Sequence, residues 1–347
     1  MAYSTYLTLI IPAIFALIAT YIAMLFVRSY FLESGVISRN PNKKKDEVIP
    51  TSGGIAVSFG FIVGVLVYVF GASFGLYTPV ASITMLFAAA LSVLLIAFVG
   101  FLDDLNVKTS FGKSTGMKDW RRGMKQWQKP VLTVLGALPL MAVNAGIAMV
   151  ALPFVGIVNF GIFYPLLIIP LAVICVANAF NLLGGFDGMA TGTALIATLG
   201  LLVYSIFYGT AAGALISVVL AASVFVLFMY HKYPVKVLTG DSFTYMWGAA
   251  FVAAIVMGNM EAFGIIVFGP WIIEAFLHLR GKFKTTDLGV IQKDGTLAAP
   301  YGKKIYSWTH IMMNLKRTKE AEVAMMMWGV EFGFVLLAFA MKWTGLL

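Results

Sequence analysis

Ten apolar runs, most of them long enough to cross a bilayer and separated by short polar connections, restrict this chain more than any other feature. They cover residues 7–31, 53–70, 79–102, 130–150, 163–183, 189–208, 212–230, 243–257, 262–279 and 323–346. A membrane-spanning helix needs about 20 apolar residues, so only 243–257 is markedly short. With 61% hydrophobic and 11% charged residues, the chain is far from the quarter or so of charged residues usual in soluble domains. The expected fold is an all-α polytopic membrane protein: ten transmembrane helices in one domain over residues 1–347.

The charges sort the connections into two sets. Of the 24 Lys and Arg residues, Lys342 alone falls on one side. Arg28 and the loops after the first, third, seventh and ninth runs carry the others, and the loops after the second, fourth, sixth and eighth carry none. By the positive-inside rule the basic side is cytoplasmic and both termini lie outside. The net charge of +9 then reads as topology and as attraction to anionic lipid or substrate, not as nucleic-acid binding. Cys175 stands alone in an apolar run, which excludes an intrachain disulfide or a cysteine metal cluster; it is expected to be a small buried hydrophobe. The first run has no small-residue cleavage pattern and is expected to be a retained span.

Polar residues gather where apolar runs meet the basic side. In NAFNLLGGFDGMA (178–190), Asn178 and Asn181 are three apart and would share one face of the last turn of a helix. Gly184 and Gly185 end it, and Asp187 follows. A carboxylate at the hydrocarbon boundary is costly and marks a site by default. The third run ends in GFLDDL, where Asp103 and Asp104 are adjacent; two neighbouring carboxylates repel unless a cation offsets them, and Mg2+ takes such oxygen ligands together with substrate phosphates. Asp241, in the Gly240-Asp241-Ser242 turn after YHKYPVKVLT, also fits a plain helix N-cap.

The basic loops supply the cations. Asn42 and Lys43 in the first can meet a phosphate or nucleotide, and the stretch from Lys108 to Lys129, with seven Lys or Arg and two Trp, suits an interfacial segment on anionic lipid. In 280–322, Asp294-Gly295 predicts a small cytoplasmic β-hairpin between helices 9 and 10. Arg280, Lys282 and Lys284 would point to one face if a strand followed the ninth run, and three cations there suit a diphosphate. Residues 303–319, with Trp308, Met312 and Met313, are expected to form an interfacial helix. Taken together, these carboxylates, amides and cations suit metal-assisted chemistry on phosphates at the membrane boundary, joining a water-soluble nucleotide sugar to a lipid phosphate. The alternative, an ion-coupled secondary transporter, would place its polar breaks near the midplane in repeated halves.

GFLDDL, NAFNLLGGFDG, YHKYPVKVLTGDSF, IPTSGG and the basic run after the ninth helix resemble the ordered motifs of the polyprenyl-phosphate N-acetylhexosamine-1-phosphate transferase family, on the archaeal side of its dolichyl branch. The resemblance implies a ten-helix bundle with a cytoplasmic active site in the cell membrane, or in the endoplasmic reticulum of a eukaryote. It also implies dependence on Mg2+, with Mn2+ as a substitute. The implied reaction moves a sugar 1-phosphate from a UDP-sugar to dolichyl or polyprenyl phosphate and releases UMP, starting a lipid-linked glycan for protein N-glycosylation. Asn181 and Asp241 would hold the metal, Asp103 would be the base or acceptor-orienting group with Asp104 beside it, and Lys129 or Lys113 would contact the phosphates. Asn178 and His231 fall in substrate-binding motifs, Asp187 in the position near the uracil, and Arg280, Lys282 and Lys284 on the diphosphate. Leu238 replaces a phenylalanine of the eukaryotic members, and RGKFK a His-rich run of the bacterial ones. A homodimer is compatible with this resemblance.

Overall fold

The computed structural model describes residues 3–39, 48–105, 110–111, 118–119, 124–152 and 155–347. Three long helices come first: α1 (Tyr3–Glu33), α2 (Gly54–Ser73) and α3 (Ile83–Leu105). Short helices α4 (Gln128–Thr133) and α5 (Leu138–Ala142) lead to α6 (Ile169–Phe180), α7 (Met189–Phe207), α8 (Ala211–His231) and α9 (Gly240–Gly258). The rest comprises α10 (Glu261–Val267), α11 (Gly269–Arg280), α12 (Trp308–Leu315) and α13 (Glu320–Trp343). Among the described residues, six helices are long and apolar enough to cross a bilayer, namely α1, α2, α3, α7, α8 and α13, with a seventh if the bent pair α10–α11 counts as one span. The protein is an integral membrane protein.

The other predicted spans differ from simple helices for identifiable reasons. The run 130–150 breaks into α4, a 3-10 turn over Val134–Gly136 and α5, and ends where Asn144 and Gly146 take positive φ. The Gly136 carbonyl accepts a hydrogen bond from the Ser92 hydroxyl of α3, which ties the break to a neighbour. In 163–183 a π turn over Tyr164–Ile168 precedes α6, with Pro165 and Pro170 near the starts of the two pieces. Proline removes a donor and crowds the preceding turn, so both pieces are offset. The run 262–279 bends by 56° between α10 and α11, where Phe268 and Gly269 precede Pro270.

Small sheets modify the expected all-α picture. β1 (Ile37–Arg39) pairs antiparallel with β2 (Val48–Pro50), β3 (Ser110–Phe111) with β4 (Lys118–Asp119), and β5 (Met149–Leu152) with β6 (Gly156–Asn159). β7 (Val290–Ile291) pairs with β8 (Leu297–Ala298) across the turn that holds Asp294 and Gly295. No strand carries Arg280, Lys282 and Lys284: Arg280 ends α11, and Lys282 and Phe283 have φ of 55° and 53° in a hydrogen-bonded turn closed by Phe283 N–H on the His278 carbonyl at 2.9 Å. The expected helix over 303–319 is the shorter α12, with Met312 and Met313 buried in protein. Cys175 is exposed, not buried, because its face of α6 lines an apolar groove.

Packing places α9 at the centre. Every residue from Ser242 to Gly258 is buried, as expected for a helix apolar on all sides and enclosed by others; α2, α3, α6, α7 and α8 surround it. Trp247 of α9 packs against Phe180 and Trp271 with ring centroids 4.2 and 5.4 Å away, and its indole N–H donates to Thr198 Oγ1 at 3.0 Å. Aromatic pairs of this kind contribute roughly 0.5–1.5 kcal/mol each beyond area burial. They fix the end of α6, and so Asn181, against α9. On the far side of the bundle, Gly60 and Gly64 of α2 let α1 approach until an added Cβ would meet Ala16 and Thr20.

Candidate active site

Four helix ends meet around Asp241. The first turn of α9 has backbone N–H groups with no partner inside the helix, and Asp104 at the end of α3 takes two of them. Asp241 N–H donates to Asp104 Oδ1 at 2.9 Å and Ser242 N–H to Oδ2 at 3.2 Å. Asp241 is therefore not the N-cap that its position before the helix suggested. Its carboxylate is available to Lys129 of α4, whose Nζ lies 2.7 Å from Asp241 Oδ2. The same Nζ is 2.7 Å from Asp103 Oδ2, and the Met124 N–H donates to the other Asp103 oxygen. Successive helical residues point about 100° apart, which is how adjacent carboxylates serve two neighbours.

The two asparagines attach to different helices. Asn178 Nδ2 donates to Thr133 Oγ1 at 3.0 Å and to the Ile174 carbonyl at 2.8 Å, which ties α6 to α4 one turn beyond Lys129. Asn181 Oδ1 accepts from Thr244 Oγ1 at 3.2 Å, and that hydroxyl also lies 3.2 Å from the Asp241 carbonyl. The Asn181 amide oxygen thus sits beside the first turn of α9. Asp103, Asp104, Lys129, Asn181 and Asp241 form one connected group, with Asn178 bracing it.

Asp187 and His231 belong to a second cluster. Asp187 Oδ2 accepts from Val235 N–H at 3.1 Å, and its own N–H donates to Glu320 Oε1 at 3.1 Å. His231 is 2% exposed, with Nδ1 3.1 Å from Thr191 Oγ1; it braces the junction of α7 and α8 beneath Asp187. Arg280, Lys282 and Lys284 are exposed beyond α11, with the Arg280 guanidinium 5.5 Å from the Tyr306 ring centroid. Asn42, Lys43 and Lys113 lie outside the described residues.

Several participants were not singled out from sequence. Ser52 is fully buried and donates to Asp104 Oδ2 at 2.7 Å; a Ser-Gly-Gly stretch reads as a turn, and only the fold shows its partner. Asp287 Oδ2 accepts from Gly185 N–H at 3.0 Å, docking the loop after the Arg280 turn onto the loop between Asn181 and Asp187. Burial, reinforced by Glu274, raises the Asp287 carboxyl above its ordinary pKa, with the Gly185 N–H acting in the opposite sense. His310 supports the same loop: Nε2 donates to the Thr286 carbonyl at 2.9 Å and Nδ1 accepts from Tyr306 N–H at 3.1 Å. This pair of contacts suits a neutral ring, and burial lowers its pKa below the ordinary imidazole value.

An apolar groove of about 560 Å³ runs between α6, α9 and the bent α10–α11 pair. Ala179, Leu279 and Phe283 line one part of it, next in the chain to Asn178, Arg280 and Lys282 respectively; Tyr164 and Glu261, which are hydrogen-bonded to each other, line another.

The fold and this centre define an integral membrane protein whose helix ends bring paired carboxylates, an amide and a partly buried lysine together, with an apolar groove between α6, α9 and the α10–α11 pair. The chain belongs to glycosyl transferase family 4, whose model matches residues 86–259, from α3 through α9. It is therefore an enzyme of the glycosyltransferase class. A Saccharolobus solfataricus protein provisionally named a UDP-N-acetylglucosamine–dolichyl-phosphate N-acetylglucosaminephosphotransferase is 33% identical over 97% of this chain and 98% of its own length. A Dictyostelium discoideum protein with that activity in its name is 25% identical over 68% of this chain and 63% of its own. A phospho-N-acetylmuramoyl-pentapeptide-transferase from Halalkalibacterium halodurans is 26% identical over 96% of this chain and 95% of its own.

Proposed function

We propose that the chain transfers N-acetylglucosamine 1-phosphate, or a related amino-sugar 1-phosphate, from a UDP-sugar to dolichyl or another polyprenyl phosphate, releasing UMP. The observation that carries this reading is the Lys129 ammonium held 2.7 Å from both Asp103 and Asp241 where the ends of α3, α4 and α9 meet. The relatives' names support the same donor and acceptor. Family membership also favours a transferase over an ion-coupled transporter.

The residues have defined tasks in such a reaction. An oxygen of the lipid phosphate attacks the β-phosphorus of the UDP-sugar; the new P–O bond forms as the bond to the bridging oxygen breaks, and UMP carries that oxygen away. Asp103 takes the proton of an acceptor that arrives monoprotonated, and Lys129 offsets charge on the phosphates. The groove holds the first isoprene units and Arg280, Lys282 and Lys284 meet the diphosphate, with Asp187 on the side of the donor base. Lys129, and not Lys113, is the phosphate-contacting lysine in this reading.

A divalent ion fits the donor set. Asn181 offers its amide oxygen 3.2 Å from the Thr244 hydroxyl in the first turn of α9, and Asp241 offers a carboxylate from that same turn. Such oxygen donors suit Mg2+, an ion commonly held by one or two carboxylates plus substrate phosphates. Bound by Asn181 and Asp241, Mg2+ or Mn2+ would supply charge neutralisation to the diphosphate.

The same reading implies ten membrane crossings, with the broken 130–150 run, α6 and α9 among them. The centre and the β7–β8 hairpin face the cytoplasm and both termini lie outside. The product is the first lipid-linked sugar of a glycan destined for protein. The test is UMP release by purified protein in lipid-containing micelles given UDP-N-acetylglucosamine, dolichyl phosphate and Mg2+. Release that needs the lipid and is lost with EDTA or Asp241→Ala is expected. Silence with a panel of UDP-sugars and polyprenyl phosphates, from folded protein, overturns the reading.

A further inference from the structure

Asp103 and Asp104 are neighbours in sequence, but the fold gives them different work. Asp103 faces Lys129. Asp104, 2% exposed, accepts the Asp241 and Ser242 N–H groups and the Ser52 hydroxyl. We propose that Ser52 and Asp104 are positioning residues, a clamp that holds the first turn of α9 against α3 and so aims the Asp241 carboxylate at Lys129. The assignment of turnover to this site rests on the proposed transferase reaction; the clamp itself rests on geometry alone.

The backbone around the clamp supports it from three sides. Gly240 has φ of 69°, and a Cβ there would run into the Asp104 carboxylate. A Cβ on Gly100 would meet the Asp241 backbone, and one on Gly54 the backbone of Ser242 and Phe243. The ends of α2, α3 and α9 therefore meet with no side chain between their backbones. The segment before α2 is also stitched to the one before α9: Leu238 N–H donates to the Pro50 carbonyl at 2.8 Å, Gly53 N–H to Leu238 at 3.0 Å and Gly54 N–H to Thr239 at 3.1 Å.

Ser52 sits at the middle of this stitch with φ of 63°, a conformation that a non-glycine residue adopts only against steric cost. Glycine would serve the backbone there equally well. What serine adds is a hydroxyl, fully buried and 2.7 Å from Asp104 Oδ2. Thr239, just before α9, makes no side-chain cap, and the Asp241 carboxylate is turned to Lys129. The capping that α9 needs thus comes from another helix, and the hydroxyl fixes which way that carboxylate lies. In this arrangement Asp103, not Asp104, is the group placed to take a proton.

The experiment compares wild type with Ser52→Gly, Ser52→Ala, Asp104→Asn and Asp103→Asn in full-length protein in lipid-containing micelles. It reads amide hydrogen exchange in peptides covering 239–247 together with steady-state kinetics. Ser52→Gly removes the hydroxyl while relieving the backbone, so a loss it shares with Ser52→Ala belongs to the hydroxyl. Both should speed exchange in that segment and lower kcat by roughly ten-fold, the effect of one lost hydrogen bond to a charged group, with KM for the lipid unchanged. Asp104→Asn should do both more strongly. Asp103→Asn should abolish turnover and leave exchange as in wild type. Wild-type exchange and turnover in Ser52→Gly, or loss of α9 protection in Asp103→Asn equal to that in Asp104→Asn, overturns the clamp. If wild type itself releases no UMP, the substrate reading fails while the exchange comparison still decides the clamp.

Discussion

Replacing Lys129 with methionine would leave the Asp103 and Asp241 carboxylates facing each other without their bridging ammonium. Both oxygens lie 2.7 Å from one nitrogen, so they are within twice that distance of one another. At an effective dielectric constant of about 20, like charges at that separation repel by about 3 kcal/mol. Removing one partner of a buried pair costs roughly 3–5 kcal/mol. The lower end applies, because the Lys129 and Asp241 side chains keep 15% and 22% exposure and solvent screens them in part. K129M should therefore lose about 3 kcal/mol of stability. Adding Asp103→Asn should return about half of that by removing one charge of the repelling pair, a coupling expected only of residues in contact. Denaturation midpoints of wild type, K129M, D103N and the double variant in lipid-containing micelles measure it. Turnover should fall by about two orders of magnitude in K129M and not recover in the double variant. A double variant as unstable as the two single changes predict additively would refute the bridge.

Three further changes probe other parts of the structure. Gly240→Ala puts a Cβ into the Asp104 carboxylate at a φ of 69°, and should cost about 1–3 kcal/mol in a denaturation measurement; a change under about 0.5 kcal/mol would show that the turn can relax freely. Ala275→Trp fills part of the apolar groove and should raise KM for polyprenyl phosphate several-fold while leaving KM for the UDP-sugar alone; equal effects on both would place the lipid elsewhere. The lowered His310 pKa means that the unfolded loop binds the proton more readily, so the docked loop is most stable above the ordinary imidazole range and weakens as pH falls through it. Exchange across 286–310, corrected for intrinsic rates, should rise between about pH 7.5 and about pH 5.5 in wild type and much less in His310→Gln; identical pH responses would remove His310 from that role.

The parts of the centre that were legible in sequence are those whose cost is local. Asp103, Asp241 and the Asn178–Asn181 pair stand out because each interrupts an apolar run, and a polar group at the hydrocarbon boundary needs a partner whatever the fold. Which partner it has is a tertiary matter. Asp241 before a helix is a good N-cap by every local rule, yet Asp104 from α3 takes the N–H groups and Asp241 turns to Lys129. Ser52 lay inside the IPTSGG motif with no role of its own and Asp287 went unmarked, since their partners are 52 and 102 residues away. Hydropathy located the apolar runs but not their continuity. It is blind to the 3-10 turn before Leu138, the π turn before α6 and the bend at Pro270, where neighbouring groups or the groove make a break tolerable.

The enclosure of α9 has a consequence for how the protein is made. From Ser242 to Gly258 this helix presents no face to lipid, and it begins with Gly-Asp-Ser. A segment leaving the translocon with a carboxylate in its first turn gains less from the bilayer than its neighbours do. Its stable environment exists only once α3, α6 and α8 have come together to receive it. Burial of α9 is thus coupled to closure of the bundle around it, and that closure also brings Asp241 to Lys129. A half-assembled chain has no centre, so reactivity appears only in the finished molecule.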